Sequence, residues 1–166
     1  MAERDYGYVA TAFSGKSIEP FQQLTKRLCG EKDFYASDTV GYVNGDVSSG
    51  LHMTLFYGLI DENIDKDKFN DYIKGIQLPT LELGKLVLRQ EYNKFCQILW
   101  VQVLDQHHVL ERISEGFKQF EYEKSVQLGF VPHLTLAYVK NEYTLEDIIP
   151  EYPHEIEVEE LKYFEQ

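Results

Sequence analysis

The sequence contains 166 residues, 43% of them hydrophobic, which suits one compact domain over 1–166 or two small lobes that share a core. No apolar run approaches the roughly 20 residues of a membrane span, and no basic and then apolar signal sequence opens the chain, so we expect a cytoplasmic protein that does not bind membranes. The net charge of −12 argues against binding long nucleic acid through non-specific phosphate contacts. It leaves room for a small anionic ligand held by a few placed groups.

The cysteines and the C-terminal part of the chain carry little functional information. Cys29 and Cys96 are far apart and lack CxxC spacing, which favours buried reduced thiols over a metal pair. Residues 142–166 hold nine acids and one lysine, which we interpret as a solvated acidic face. We expect a monomer.

Hydrophobic spacing and turn signals predict an alternation of strands and helices. Taken in chain order, the predicted elements are a strand over 5–13, a helix over 18–29, strands over 39–43 and 51–59, a helix over 65–76, strands over 81–88 and 95–104, a helix over 106–121, a strand over 130–139, a short helix over 144–149 and a strand over 155–164.

Local signals support several of these boundaries. Ser17 is an expected N-cap for the first helix, and Asn44-Gly45 is typical of a two-residue hairpin turn. Pro132 cannot donate to a strand ladder, so the start of the strand that it opens should be a sheet edge or an entry point. Thr144 and Asp147 resemble a capping box.

Two heptapeptides resemble each other, LHMTLFY over 51–57 and PHLTLAY over 132–138. The two copies agree in His, Thr, Leu and Tyr at the same offsets and lie about half the chain apart. Because side chains alternate along a strand, His52 should share a face with Thr54, and His133 with Thr135. By the same alternation Tyr57 and Tyr138 should lie on the opposite, packed face. Each half of the chain also has the order strand, helix, His strand, which indicates an α+β protein of two related lobes.

Two other interpretations of these histidines are disfavoured. A single His-x-Thr is more often structural than functional, but two copies with matching neighbours are hard to attribute to chance. A metal site is disfavoured, because HExxH, HxH and CxxC spacings are absent and neither motif face carries Asp or Glu. His107 and His108 should lie solvated in the first turn of a helix, and His154 in a proline-rich turn.

The pattern His-x-Thr-Leu, present twice, resembles the 2H phosphoesterase superfamily, which includes the RNA ligase T-like 2′,3′-cyclic phosphodiesterases and the 2′-5′ oligoadenylate phosphodiesterases. The segment FVPHLTLA over 130–137 is similar to the family's usual second motif, and the likeness extends over nearly the whole chain. The resemblance implies a bilobal α+β fold of two pseudo-symmetric antiparallel-sheet lobes, with helices packed outside and a central cleft lined by both His-Thr pairs. The segment YGYVATAF over 6–13 and the ending TLAY also resemble phage-encoded 2H enzymes, which degrade the cyclic oligonucleotide messengers of CBASS immunity.

The two His-Thr pairs support phosphodiester cleavage independently of the resemblance. Cleaving a ribose-linked phosphodiester needs one base and one acid, and the ordinary histidine pKa of about 6.5 allows one neutral and one charged imidazole near neutral pH. The nucleophile would be a ribose 2′-hydroxyl or a water. Thr54 and Thr135 can donate hydrogen bonds to the non-bridging oxygens. Which of His52 and His133 is the acid stays open. We predict no metal and no cofactor.

Four further residues are candidates for substrate binding. Tyr8, Phe56 and Trp100 could stack on bases, and Phe56 has the best case because alternation puts it on the face of His52 and Thr54. Lys140 could contact a second phosphate. We expect a small nucleotide as partner, preferably a cyclic oligonucleotide. The alternatives are a 2′,3′-cyclic phosphate of an RNA end or a 2′-5′ oligonucleotide as substrate, and a nucleotide-sequestering module that does not cleave.

Overall fold

The computed structural model describes residues 6–36, 45–90, 95–127 and 129–165. In chain order the described helices and strands are β1 Gly7–Ala12, α1 Gly15–Leu28, β2 Thr54–Leu59, α2 Lys66–Gly75, β3 Leu81–Gln90, β4 Gln97–Leu104, α3 Val109–Gly116, β5 His133–Val139, β6 Glu155–Ile156 and β7 Glu160–Phe164. None of the helices in these ranges is long and apolar enough to cross a membrane.

The strands form two antiparallel sheets, one in each lobe. The first has the order β2-β1-β7 and the second has the order β5-β4-β3-β6. In each lobe the strand before a helix pairs with the motif strand after it, β1 with β2 and β4 with β5. The α+β architecture of two related lobes is therefore confirmed.

Each lobe contributes a helix that packs against the motif strand of the other lobe; we call α1 and α3 the exchanged helices. α1 follows β1 but packs against β5, and α3 follows β4 but packs against β2. Phe21 of α1, Phe69 of α2 and Phe117 after α3 are each at most 2% exposed and belong to one continuous core that includes both sheets. Since buried apolar area is the main source of stability, this shared core fixes the lobes relative to each other.

The start of α1 differs from the prediction. The helix begins at Gly15, and Ser14 is its N-cap, since the Ser14 side chain accepts a hydrogen bond from the backbone N–H of Ser17. Ser17, the expected cap, lies inside the helix. Both serines fit the sequence signal, and the earlier one forms the cap.

Three further predictions need correction or lie outside the described residues. The helix over 144–149 is wrong, because this segment is irregular and Leu145 and Ile149 pack on the core separately. A helix of one or two turns has little stability of its own to resist such packing. The helix over 106–121 is interrupted, with α3 limited to Val109–Gly116 and flanked by 3₁₀ turns. The strand over 39–43 and Asn44 of the predicted hairpin lie outside the described residues.

The last predicted strand, 155–164, is in fact two strands in different sheets. β6 pairs with β3 in the second lobe, and β7 pairs with β1 in the first. The chain thus crosses between the lobes at residues 157–159. Alternation of apolar and polar residues cannot indicate such a crossing, because both short strands keep the same period.

Candidate functional site

The two His-Thr pairs lie together at one cleft between the lobes. A hollow of about 440 Å³, called here the first hollow, is lined by His52, Thr54, His133 and Thr135. Its remaining walls are Asp46, Val47, Ser49, Gly50 and Tyr138. The sequence predicted that the two pairs meet, and they line one hollow.

Each histidine is held by the same backbone contact. Nδ1 of His52 lies 2.8 Å from the carbonyl oxygen of Gly50, and Nδ1 of His133 lies 2.7 Å from the carbonyl oxygen of Val131. In both motifs the carbonyl belongs to the residue two positions earlier. Because a carbonyl oxygen can only accept, Nδ1 carries a hydrogen in each ring. Nε2 is therefore the nitrogen that can take up or give a proton.

His52 lies just before β2, not inside a strand as expected. The strand begins at Thr54, and the residue between them, Met53, is fixed by Thr11 of β1. The Met53 N–H donates to Oγ1 of Thr11 at 3.0 Å, and the Thr11 N–H donates to the Met53 carbonyl at 2.9 Å. Pairing with β1 therefore continues up to the histidine through a side chain.

The first motif strand contains a β-bulge at its leucine. Val9 and Ala10 of β1 face Phe56 and Thr54 of β2, so that Leu55 is an extra residue. A bulge changes the alternation of side chains beyond it. Consequently Phe56 turns into the core, where it is 2% exposed, and Tyr57 is 39% exposed.

The second motif strand carries the bulge at the matching position. Leu99 and Trp100 of β4 face Ala137 and Thr135 of β5, so that Leu136 is the extra residue. Ala137 is buried, and Tyr138 beyond it lines the first hollow. The expectation that Tyr57 and Tyr138 are packed away from the His-Thr face is thus wrong. The physical reason for this difference is the bulge, for which the two heptapeptides contain no sequence signal.

The aromatic candidates take different places from those expected. Phe56 packs against Phe117 and Tyr122, with ring centroids 5.8 and 5.5 Å away, so its expected stacking on a base is wrong. Tyr8 is half-buried in β1, stacked on Phe164 with centroids 4.7 Å apart. In the pairing of β1 with β2, Tyr8 lies opposite Tyr57 on the neighbouring strand.

Trp100 contacts a motif histidine. The centroids of its indole and of the His133 imidazole lie 4.1 Å apart, and Trp100 is 7% exposed. So little of the ring is exposed that it offers no face to a base, and the predicted stacking is wrong. Lys140, the last candidate, is exposed just beyond β5 and lines neither this hollow nor the neighbouring one described below.

The environment of His133 favours its neutral form. Burial lowers the pKa of His133 below the ordinary histidine value, and the charges of His52 and Arg89 lower it further. The hydrogen bond to the Val131 carbonyl acts in the opposite direction. Arg89, on β3, also lies 5.4 Å from the centre of the Trp100 ring. A neutral imidazole with hydrogen on Nδ1 presents a basic Nε2.

Sequence reasoning missed Arg89 and Asp46. Arg89 reaches the site by the pairing of β3 with β4, and Asp46 by a bridge between its backbone and Ala137 of β5. One oxygen of the Asp46 carboxylate accepts from the N–H and hydroxyl of Ser48. Neither residue belongs to a motif, so no local signal could have found them.

Within the described ranges, one group of side chains has metal-ligand spacing, and it does not line the cleft. Ligand atoms of Asp105, His108 and Glu111 lie within 4.8 Å of one another at the start of α3. Both oxygens of Asp105 already accept backbone N–H groups, those of Leu110 and Glu111. Helix capping accounts for this carboxylate.

No family profile matches this sequence, and no curated protein matches it. Solved structures do match. A crystal structure of a phosphoesterase has a TM-score of 0.63 and 14% identity, over 98% of this chain and 88% of that one. E. coli LigT complexed with phosphate has a TM-score of 0.59 and 14% identity, over 99% of this chain and 88% of LigT. Kluyveromyces marxianus Usb1 with uridine monophosphate has a TM-score of 0.52 and 12% identity, over 84% and 72% of the two chains. These likenesses confirm the predicted bilobal α+β fold, which the chain shares with these solved structures.

Proposed function

We propose that this chain is a metal-independent phosphodiesterase that cleaves a ribose-linked phosphodiester in a small nucleotide. The observation that carries the proposal is the matched pair of histidines. Both have Nδ1 held by the carbonyl two residues earlier, and each has its motif threonine in the same hollow. Two imidazoles that bond through Nδ1 and keep Nε2 for proton transfer, with two hydroxyls around one space, suit this reaction. The attacking oxygen loses a proton on one side of the phosphate, and the leaving oxygen gains one on the other.

In this mechanism His133 is the base and His52 the acid for attack by a ribose 2′-hydroxyl. Nε2 of His133 takes the hydroxyl proton as the oxygen bonds to phosphorus, and His52 gives a proton to the leaving oxygen as its bond to phosphorus breaks. The products are a 2′,3′-cyclic phosphate and a free hydroxyl. The lowered pKa of His133 supports this assignment, since a base must be neutral before reaction. Thr54 and Thr135 donate to the non-bridging oxygens.

Among substrates we favour a cyclic oligonucleotide, the class of messenger that phage enzymes of this type remove in the host cytoplasm. The net charge of −12 supports a small substrate over long nucleic acid. The solved relatives of similar fold that contain phosphate or uridine monophosphate also agree with a small phosphate-bearing ligand.

The test is to incubate the purified protein with cyclic di- and trinucleotides, linear 2′-5′ and 3′-5′ diribonucleotides and nucleoside 2′,3′-cyclic phosphates, and to identify the products by mass. We expect turnover that survives EDTA. His52→Ala and His133→Ala should each lower kcat by roughly 10²–10⁴-fold, the usual contribution of an acid or base. His154→Ala is the matched control, because His154 is exposed and lines neither hollow.

The outcomes separate the alternatives. Ligand that stays bound and unchanged would favour sequestration over cleavage. Activity lost in EDTA and restored by zinc would favour a metal site. Near-normal turnover in His133→Ala would overturn the two-histidine mechanism.

A further inference from the structure

A second hollow adjoins the first and shares Thr54 and His133 with it. It has a volume of about 300 Å³ and lies between residues 54–57 of β2, the end of α3 and residues 126–127 and 129–131. Because Thr54 and His133 line both hollows, a phosphate held by them would lie where the hollows meet. The cleft therefore extends to both sides of the proposed phosphate position.

The two hollows are lined by corresponding parts of the two lobes. The first combines the segment before His52 with Thr135 and Tyr138 of the opposite motif strand. The second combines the segment before His133 with Thr54 and Tyr57. Each matched motif tyrosine thus lines one hollow. This accounts for the repeated tyrosines, which the acid–base mechanism leaves without a role.

The lining of the second hollow suits a nucleoside. Tyr57 is 39% exposed, Val131 is 54% exposed and Phe130 is half-buried. Aromatic and apolar walls of this kind stack on the faces of bases. The ammonium group of Lys118 is paired with Glu115 at 2.8 Å, and both side chains line this hollow. Since their charges cancel, a neutral base fits better than a second phosphate.

From the shared residues, the symmetry and the lining, we propose that the second hollow binds a second nucleoside, so that the scissile phosphate has a nucleoside on each side. This inference rests on the proposed phosphodiesterase function. It favours substrates with internucleotide linkages, such as cyclic or linear oligonucleotides, over nucleoside 2′,3′-cyclic phosphates, which have one nucleoside for each phosphate. Tyr57 would be a specificity-determining residue.

The test compares two substrates that share the scissile bond. One is a diribonucleoside monophosphate, and the other is the same ribonucleoside phosphate esterified with methanol in place of the second nucleoside. Both are prepared with 2′ and with 3′ linkages. The wild-type kcat/KM should be at least about 10-fold higher for the diribonucleoside, the effect of one stacked base. Tyr57→Ala should remove most of this advantage.

Two variants complete the design. Phe95→Ala is the matched aromatic control, since Phe95 is 57% exposed and lines neither hollow, and it should keep the wild-type ratio. Val131→Trp fills the second hollow from an exposed position that tolerates a larger side chain, and it should reduce the ratio as Tyr57→Ala does. Thermal unfolding establishes that each variant is folded.

The two proposals fail differently. If the methyl ester and the diribonucleoside are cleaved equally well, and Tyr57→Ala and Val131→Trp leave their ratio unchanged, the second subsite is wrong and the phosphodiesterase stands. If the wild-type protein cleaves neither these substrates nor the wider panel, the proposed function is wrong, and the subsite proposal is overturned with it.

Discussion

The indole of Trp100 packs against the imidazole of His133, and their planes are inclined by 41°. By register, Trp100 faces Thr135 across the ladder between β4 and β5. The equivalent residue in the other lobe is Ala10, which faces Thr54. The two lobes therefore match in backbone but not in the group that covers the histidine. The indole adds to the burial of His133, and burial lowers the pKa of that imidazole, which supports different roles for the two histidines in the proposed mechanism.

Replacing Trp100 should change the pH dependence of catalysis. His133 acts as base only when neutral, so kcat/KM should rise with pH as His133 loses its proton, with a midpoint below the ordinary value of about 6.5. In Trp100→Leu water reaches the imidazole, the pKa of His133 rises, and this acidic limb moves to higher pH. Arg89→Gln should move it in the same direction, because a positive charge is removed. Histidine NMR titration measures the pKa directly. A limb that moves to lower pH in both variants would contradict the assignment of His133 as the base.

Removing either motif hydroxyl should lower kcat. Thr54→Val and Thr135→Val keep the side-chain shape but lose a donor to the phosphate, and loss of one such donor typically costs about 10²–10³-fold in kcat. Thr→Ser at either position should recover most of the activity. Thr144→Val is the control, since Thr144 is exposed and lines neither hollow. Steady-state kinetics on the best substrate of the panel provides the measurement, and unchanged kcat in both valine variants would exclude the proposed role.

Much of the fold and the central four residues could be predicted from the sequence, and the reasons are local. The repeated His-x-Thr-Leu pattern identified both pairs, and hydrophobic spacing identified most helices and strands. The face of Tyr57 and Tyr138 could not be predicted, because one bulge residue in each strand reverses the alternation on which the argument depended.

Residues brought in by long-range pairing were also beyond prediction. Arg89 approaches His133 through the pairing of β3 with β4. Trp100 is expected from the sequence to stack on a base, but in the structure it contacts the imidazole of His133. The crossing of the chain from β6 to β7 depends on which sheet edge is free, a tertiary property with no signal in the segment itself.

Thr11→Val should destabilise the protein and reduce activity. The Oγ1 of Thr11 accepts the N–H of Met53, a residue that is 0% exposed, and valine leaves that buried N–H unpaired. Such a loss costs about 1–3 kcal/mol, measured by urea unfolding. Thr25→Val is the control with smaller effect, because the Thr25 hydroxyl donates to a carbonyl, that of Phe21, which the helix already uses. Equal losses in the two variants would mean that the Met53 contact has no special importance.

Ser114→Ala should weaken the first motif bulge. The extra residue of a bulge is left out of the ladder, and the carbonyl of Leu55 instead accepts the Ser114 hydroxyl at 2.6 Å. In the second motif the carbonyl of Leu136 accepts the backbone N–H of Val47 at 3.1 Å, a bond that no side-chain substitution removes. Ser114→Ala removes this buried hydrogen bond to the Leu55 carbonyl beside Thr54, so we expect about 1–3 kcal/mol of lost stability and a lower kcat.

Ser125→Ala is the matched control for this prediction, because the Ser125 hydroxyl is exposed and donates to Glu123, two residues earlier, and not to a motif strand. Urea unfolding and steady-state kinetics should show the loss in Ser114→Ala and not in Ser125→Ala. Since Ser114 lies on α3 and Leu55 on β2, the result also tests whether the exchanged helix of one lobe sets the geometry of the other lobe's motif. Wild-type stability and kcat in Ser114→Ala would show that the bulge holds its shape without this bond.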